Sequence, residues 1–304
     1  MTRFDVVGFG ALNVDKLFKV NRIAQAEEES FIVTQSETCG GSAANTTVAL
    51  ARLGCKVGFI GKAGLDREGD MLVSDFCKEG VDTNGVIRAT RGKSGSVMGF
   101  VDKKGARALY ISSGVNDTIA LDEINAEYVS QARFLHLTSF VGEKSFRTQK
   151  KLLETLPSTV KVSFDPGALY ARKAFAQLEP IVKKAYVLMP NRIELEHLTG
   201  YADYCKGADA LIEKGAKIVA VKLGSEGCYV TNGRERHRID AFKVPVVDTT
   251  GAGDAFCAGF LYGLLNNKGL HECGRIGNFV ASRCVMKIGA RAGLPYTKDL
   301  KLLG

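Results

Sequence analysis

The run Val246–Phe260, VVDTTGAGDAFCAGF, sets three small residues, Gly251, Ala252 and Gly253, directly before an acid, Asp254. A largely buried helix is predicted over 252–266, because apolar residues recur at 256, 260, 261, 264 and 265. Its first-turn N–H groups have no intrahelical acceptor, and with the helix dipole they favour an anion. A phosphate-like charge is the natural guest. Asp254 has two readings. It is a first-turn acid that complements the dipole, or it is a base that takes a proton from a hydroxyl attacking phosphorus. Phosphoryl transfer asks mainly for positioning and charge stabilisation. The Walker pattern Gly-x4-Gly-Lys-Ser/Thr is absent, which excludes a P-loop NTPase.

Four other stretches could bear on such chemistry. VVGFGALN carries Gly8-x-Gly10, but Asn13 stands where a dinucleotide fingerprint needs its third glycine, and VDKLFKV reads as a strand. A dinucleotide-dependent oxidoreductase fails on these grounds. Asn13 and Asp15 instead fall just past the carboxyl end of the first strand, the edge where open parallel sheets bind ligands. Asp15 is either a hydrogen-bond acceptor for sugar hydroxyls or part of a polar turn. In CGGSAANTTVALARLG, Gly40 and Gly41 precede a helix whose first turn is Ser42–Asn45. Small residues there admit a ligand close to the backbone, or serve only as a turn with Ser42 as cap. Asn45 disfavours a helix unless its amide has a partner. Asn191 and Glu194 fit a capping box, which explains both without any metal. Gly224 and Gly227 make either a nucleotide-facing loop or a hairpin turn.

Apolar runs at 4–10, 57–60, 134–139, 160–165, 185–189 and 217–223 read as strands. Helices are predicted over about 42–53, 67–79, 143–155, 170–184, 191–198, 204–214, 252–266 and 270–287. The alternation predicts an α/β fold with a mainly parallel central sheet and helices on both faces. Residues 11–38 and 92–113 break the pattern, with an acidic turn at Glu27–Glu29 and a DKKG hairpin signal. Both read as a small β-sheet appended to one domain spanning 1–304.

Composition narrows the function classes. The 304 residues are 45% hydrophobic and 24% charged, so the chain can bury a substantial core. No window suggests a membrane span, and the N-terminal stretch lacks the apolar region of a signal peptide. The eight cysteines include no Cys-x-x-Cys pair. They read as reduced thiols in a cytoplasmic protein, and the spacing of a zinc site is missing. The net charge of +8 is dispersed, without the continuous basic stripe that nucleic acid favours. A mild positive field suits a small anionic substrate such as a nucleotide.

Taken together, the motifs resemble the ribokinase-like (PfkB) family of sugar and nucleoside kinases over nearly the whole chain, in the family's order. GGSAAN, GKAGLDREGD (61–70), GVN (114–116) and above all DTTGAGDAFCAGF carry the resemblance. It implies that Asp254 is the catalytic base and that the N–H groups of Gly251, Ala252 and Gly253 form the anion hole. It implies that Asn13, Asp15, Gly41 and Asn45 hold the substrate. Lys222, Gly224 and Ser225 would lie near ATP, with Asn278 by the adenine. Asn191 and Glu194 would organise the Mg2+–phosphate region. Asp248 and Thr250, with backbone from 289–293, resemble a monovalent-cation site for K+. Segments 11–38 and 92–113 would form a β lid over the sugar, and in some members that lid also builds a homodimer. True ribokinases carry a glutamate where Thr138 or Ser139 stands, and a lysine where Ser42 stands; both departures argue against ribose. GARALYISSG lacks the second arginine expected of ketodeoxygluconate kinases, which argues against an acidic sugar. The expectation is an ATP-dependent kinase for a sugar or sugar-like hydroxyl. A nucleoside kinase, or a catalytically silent sugar- or nucleotide-binding regulator, is the alternative.

Overall fold

Apolar runs that lack polar alternation do become strands covered on both faces. The computed structural model describes residues 2–303. Its strands are β1 (Phe4–Phe9), β2 (Asn13–Val20), β3 (Ile32–Gly40), β4 (Val57–Gly64), β5 (Val86–Ala89), β6 (Gly95–Val101), β7 (Arg107–Ser112), β8 (Ala132–Leu137), β9 (Lys161–Phe164), β10 (Ala185–Leu188), β11 (Ile218–Lys222), β12 (Cys228–Thr231) and β13 (Arg236–Ile239). The helices are α1 (Ser42–Arg52), α2 (Arg67–Lys78), α3 (Ala126–Ser130), α4 (Glu143–Thr155), α5 (Gly167–Ala171), α6 (Phe175–Lys184), α7 (Arg192–Thr199), α8 (Tyr204–Glu213), α9 (Ala252–Leu265) and α10 (Leu270–Cys284).

Nine strands form one sheet in the order β13-β12-β11-β10-β9-β8-β1-β4-β5. Every pairing from β11 to β5 is parallel, and only the β11–β12–β13 edge is antiparallel. Strand pleating sends β1 into two cores. Val6 packs with residues of α1, α9 and α10, while Phe4, Val7 and Phe9 pack with residues of α3, α4 and α6. Each such side chain, fully buried, contributes roughly 1.5–3 kcal/mol.

The two segments that break the α/β pattern form a separate four-stranded sheet, β3-β2-β6-β7. β2 and β6 pair in parallel; the outer pairs are antiparallel. The DKKG turn closes as a hairpin because Asp102 Oδ1 accepts from the N–H groups of Lys104 at 2.8 Å and Ala106 at 3.0 Å.

Two details differ from the sequence expectation. The helix predicted over 170–184 is two helices. The Lys173 N–H closes back on the Tyr170 carbonyl at 2.9 Å, and Ala174 turns extended before α6 begins. β5, β12, β13 and α3 are short elements with no strong periodic signal. The stretch after β11 is a hairpin turn, with the Leu223 N–H donating to the Gly227 carbonyl at 2.8 Å. Among the described residues no helix is long and apolar enough to cross a membrane.

Candidate active site

Strands β1, β8, β9, β10 and β11 all end at one edge, where parallel-sheet proteins bind ligands. A cavity of about 960 Å³ lies between that edge and the small sheet, and Asn13, Asp15, Gly41, Asn45, Gly253 and Asp254 line it. Asp248, Thr250 and Gly251 share the same wall.

At the start of α9, Gly251 adopts the left-handed conformation at φ 79°, and a Cβ there would press on Ala290. The Ala252 N–H is committed, donating to the Thr249 carbonyl at 3.2 Å. Among the described residues, the N–H groups of Gly251, Gly253 and Asp254 have no backbone acceptor. The free donors thus differ from the trio read in the sequence by one member, with Asp254 in place of Ala252.

Asp254 lines the cavity and is bonded to α1 on one side. Asn45 Nδ2 donates to its Oδ2 at 2.9 Å, and Thr46 Oγ1 donates to its backbone carbonyl at 3.1 Å. The first of these bonds gives Asn45 the partner that its place inside α1 requires. Burial pushes the Asp254 carboxyl up to about 7. The Asn45 bond and the Lys222 and Arg291 charges pull it down, while Asp165 adds to the rise. Asp15, on β2, is pushed up to about 6 by burial, opposed by Arg291. Asn13 is oriented by the buried Asn116, whose Nδ2 donates to Asn13 Oδ1 at 2.9 Å and to the Leu12 carbonyl at 2.8 Å. Gly41 has φ 109°, and a Cβ there would collide with the Ala11 carbonyl.

Lys222, at the end of β11, is buried beside this site. Its Nζ donates to Asp165 Oδ2 at 2.6 Å and would lie 3.4 Å from a Cβ placed on Gly253. Burial by itself pulls the ammonium down; Asp165, with Cys257 and Glu194, outweighs it and holds Lys222 above the usual lysine range.

Asn191 and Glu194 form the capping box. The Glu194 N–H donates to Asn191 Oδ1 at 2.8 Å, and the Asn191 N–H donates to Glu194 Oε2 at 2.8 Å. Asn191 also bridges Lys222 in parallel register. Burial raises the Glu194 carboxyl, opposed by Lys222. Gly224, Ser225 and Asn278 do not line the cavity. Asn278 Nδ2 instead donates to the Ile239 and Asp240 carbonyls at 3.1 Å each, and a Cβ on Gly227, at the end of the Gly224–Gly227 turn, would strike the same two residues. Lys222 is the link between that region and the cavity.

Asp248 Oδ1 accepts from the Thr250 N–H at 3.0 Å and from Thr250 Oγ1 at 2.8 Å, and Oδ2 accepts from the Gly289 N–H at 2.9 Å. Burial works against ionisation there, but these donors outweigh it and hold the carboxyl below the usual range. Arg107 of β7 comes within 3.9 Å of Asp248, so the small sheet touches the loop before α9. Among the described residues no three His, Cys, Asp or Glu side chains converge to hold a bare metal ion.

Sequence reasoning missed Asp165 and the Arg291 side chain, and took Asn116 only as part of GVN. Asp165 had a signal, an acid at the carboxyl end of an apolar strand. Asn116 and Arg291 had none, because their partners lie 103 and 246 positions away.

A parallel sheet covered on both faces, with its site at the carboxyl edge beneath a second small sheet, is a ribokinase-like α/β fold. The chain matches the pfkB family of carbohydrate kinases over residues 3–297 and belongs to that family. It is 49% identical to an uncharacterized sugar kinase of Archaeoglobus fulgidus over 255 residues, 83% of this chain and 100% of that one. It is 32% identical to an ATP-dependent ribose-1-phosphate kinase of Halopiger xanaduensis over 287 residues, 94% of each chain. A ribokinase structure from Thermotoga maritima superposes with a TM-score of 0.88, at 27% identity and 99% coverage of each chain. The protein is a sugar kinase, a phosphotransferase that acts on a hydroxyl group.

Proposed function

We propose that this enzyme transfers the γ-phosphoryl group of ATP to a hydroxyl of a sugar or sugar-like molecule, with Asp254 as base. One observation carries the reading: a half-buried acid that lines the cavity, with Oδ1 unengaged, stands directly beside N–H groups that lack acceptors. The acceptor hydroxyl would give its proton to Asp254 as its oxygen bonds to phosphorus and the bond to the ADP oxygen breaks. The N–H groups of Gly251 and Gly253, with that of Asp254 and the Lys222 ammonium alongside, would take the charge on the moving group. The Ala252 residue shapes the turn. Asn13, Asp15, Gly41 and Asn45 would hold the sugar so that its hydroxyl meets the base, and such positioning is worth roughly 7–11 kcal/mol.

Free donors and an adjacent ammonium fit the phosphates of ATP, and Gly224, Ser225 and Asn278 supply its nucleoside end. Mg2+ keeps its waters and is bound largely through substrate phosphates. Glu194, adjacent to Lys222 and facing Asp165, would hold it through water, with Asn191 fixing the Glu194 carboxylate; Mg2+ would supply charge neutralisation on the phosphates. The small sheet, from about 11–38 and 92–113, acts as the lid of a single domain and excludes water as a competing acceptor. Asp248, Thr250 and the nearby 289–293 backbone would hold K+. Potassium is expected to stimulate ADP release several-fold over sodium, and indifference to K+ would remove this assignment.

Two further results are expected. The profile of kcat/KM against pH reports the free enzyme, so it should rise through an acid limb near pH 7, set by Asp254. A limb below pH 5 would mean another group is the base. The small sheet exposes Phe31, Ile32, Val33 and Tyr110, each more than half accessible, which fits a homodimer formed through the lid. Light scattering should give a dimer mass; a clean monomer removes that interface. The central test is ADP release over a panel of pentoses, ribose 1-phosphate, hexoses, acidic sugars and nucleosides. No turnover above that of Asp254→Asn with any acceptor would sink the proposal.

A further inference from the structure

We propose that Arg291 is a positioning residue for Asp254 and acts through Asn45; this rests on Asp254 being the base. Arg291 lies in the loop after α10, and its Nε–H donates to Asn45 Oδ1 at 2.8 Å. Asn45 Nδ2 in turn donates to Asp254 Oδ2 at 2.9 Å. A guanidinium only donates, and an ionised carboxylate only accepts. One orientation of the amide between them satisfies both, with its carbonyl toward Arg291 and its NH2 toward Asp254. The row of donor, amide and acceptor therefore selects the ionised base and leaves Oδ1 for the acceptor hydroxyl. Without Arg291 the amide is free to turn, and Asn45 Oδ1 can then accept from a protonated Asp254.

Arg291 is held where it can do this. Its Nη1 pairs with Asp75 of α2, its guanidinium lies 5.9 Å from the Phe76 ring centroid, and its side chain is only 11% exposed. Its Nη2 is buried with no partner among the described residues. The other groups facing Asp254 do not replace it. Asp165, at the end of β9, and Lys222, on β11, are bonded to each other and largely cancel. Cys257 on α9 and Cys284 on α10 are thiols that burial keeps neutral. Arg291 is likewise paired with Asp75, so its contribution is orientation more than net charge.

The test needs no acceptor. Protein labelled with 13C at the aspartate carboxyl carbons is titrated by NMR, and the Asp254 signal is identified by its loss in Asp254→Asn. Arg291→Met is expected to raise the Asp254 midpoint by about one pH unit, a tenfold gain in proton affinity. In an Asn45→Ala background the same change should add less than about a third of that shift, because the relay is already broken. A shift below about 0.3 unit, or the full shift in both backgrounds, overturns the proposal. If Arg291→Met does not fold, Arg291→Lys is read by the same two comparisons. These titrations are separate from the base assignment itself, which fails if Asp254→Asn retains ADP release.

Discussion

Replacing Asp254 by Asn is expected to lower kcat about 10²–10⁴-fold, the usual contribution of a positioned acid or base, with little change in fold. The amide has the shape of the carboxylate but cannot take a proton. Its size keeps the contact with Asn45, and the N–H groups at the start of α9 remain in place. Burial works against the charged form of Asp254, so a neutral amide should leave the melting temperature unchanged or raise it. ADP release, with melting measured on the same preparation, separates the two effects. Activity within tenfold of the parent enzyme would mean that the hydroxyl loses its proton elsewhere.

The second large effect concerns stability. Lys222→Met strips the partner from Asp165 and leaves a carboxylate that is 8% exposed without its counter-charge. Breaking a buried pair on one side typically costs about 3–5 kcal/mol. Urea unfolding of Lys222→Met should show a loss of that size. Adding Asp165→Leu should recover most of it, since removing both charges is far cheaper than removing one. A single mutant as stable as the parent would show that the pair is not coupled. The sign with pH follows from the raised lysine. The pair's stabilisation is fully present below the ordinary lysine value of 10.5 and is lost only as pH climbs through the higher folded value. Neutral and mildly alkaline buffers should therefore give the same difference. Lys222→Met should also weaken phosphate binding, since Nζ sits against Gly253.

How much of this was legible in the sequence depends on how local each cause is. The Asn191–Glu194 capping box spans three positions, and the sequence reading held to the atom. The DKKG hairpin and the apolar strands were readable for the same reason. Unpaired N–H groups at the start of α9 were readable because helix starts have such donors wherever they lie. What could not be read were contacts made by folding alone. Asn45 meets Asp254 across 209 positions, and Lys222 meets Asp165 across 57. Even at the start of α9, which N–H groups stay free could not be read, since the bond from the Ala252 N–H to Thr249 depends on the exact turn.

β2 begins four residues after β1 ends, yet it belongs to the other sheet. Asn13 and Asp15 ride on it, whereas Asp254 stands on a helix of the main layer. Under the proposed roles, the molecule would grip its sugar with one body and deprotonate it with another. Tilting one sheet on the other would change the gap between grip and base without altering either. A family built this way can acquire new acceptors by reshaping the small sheet while its chemical apparatus stays fixed.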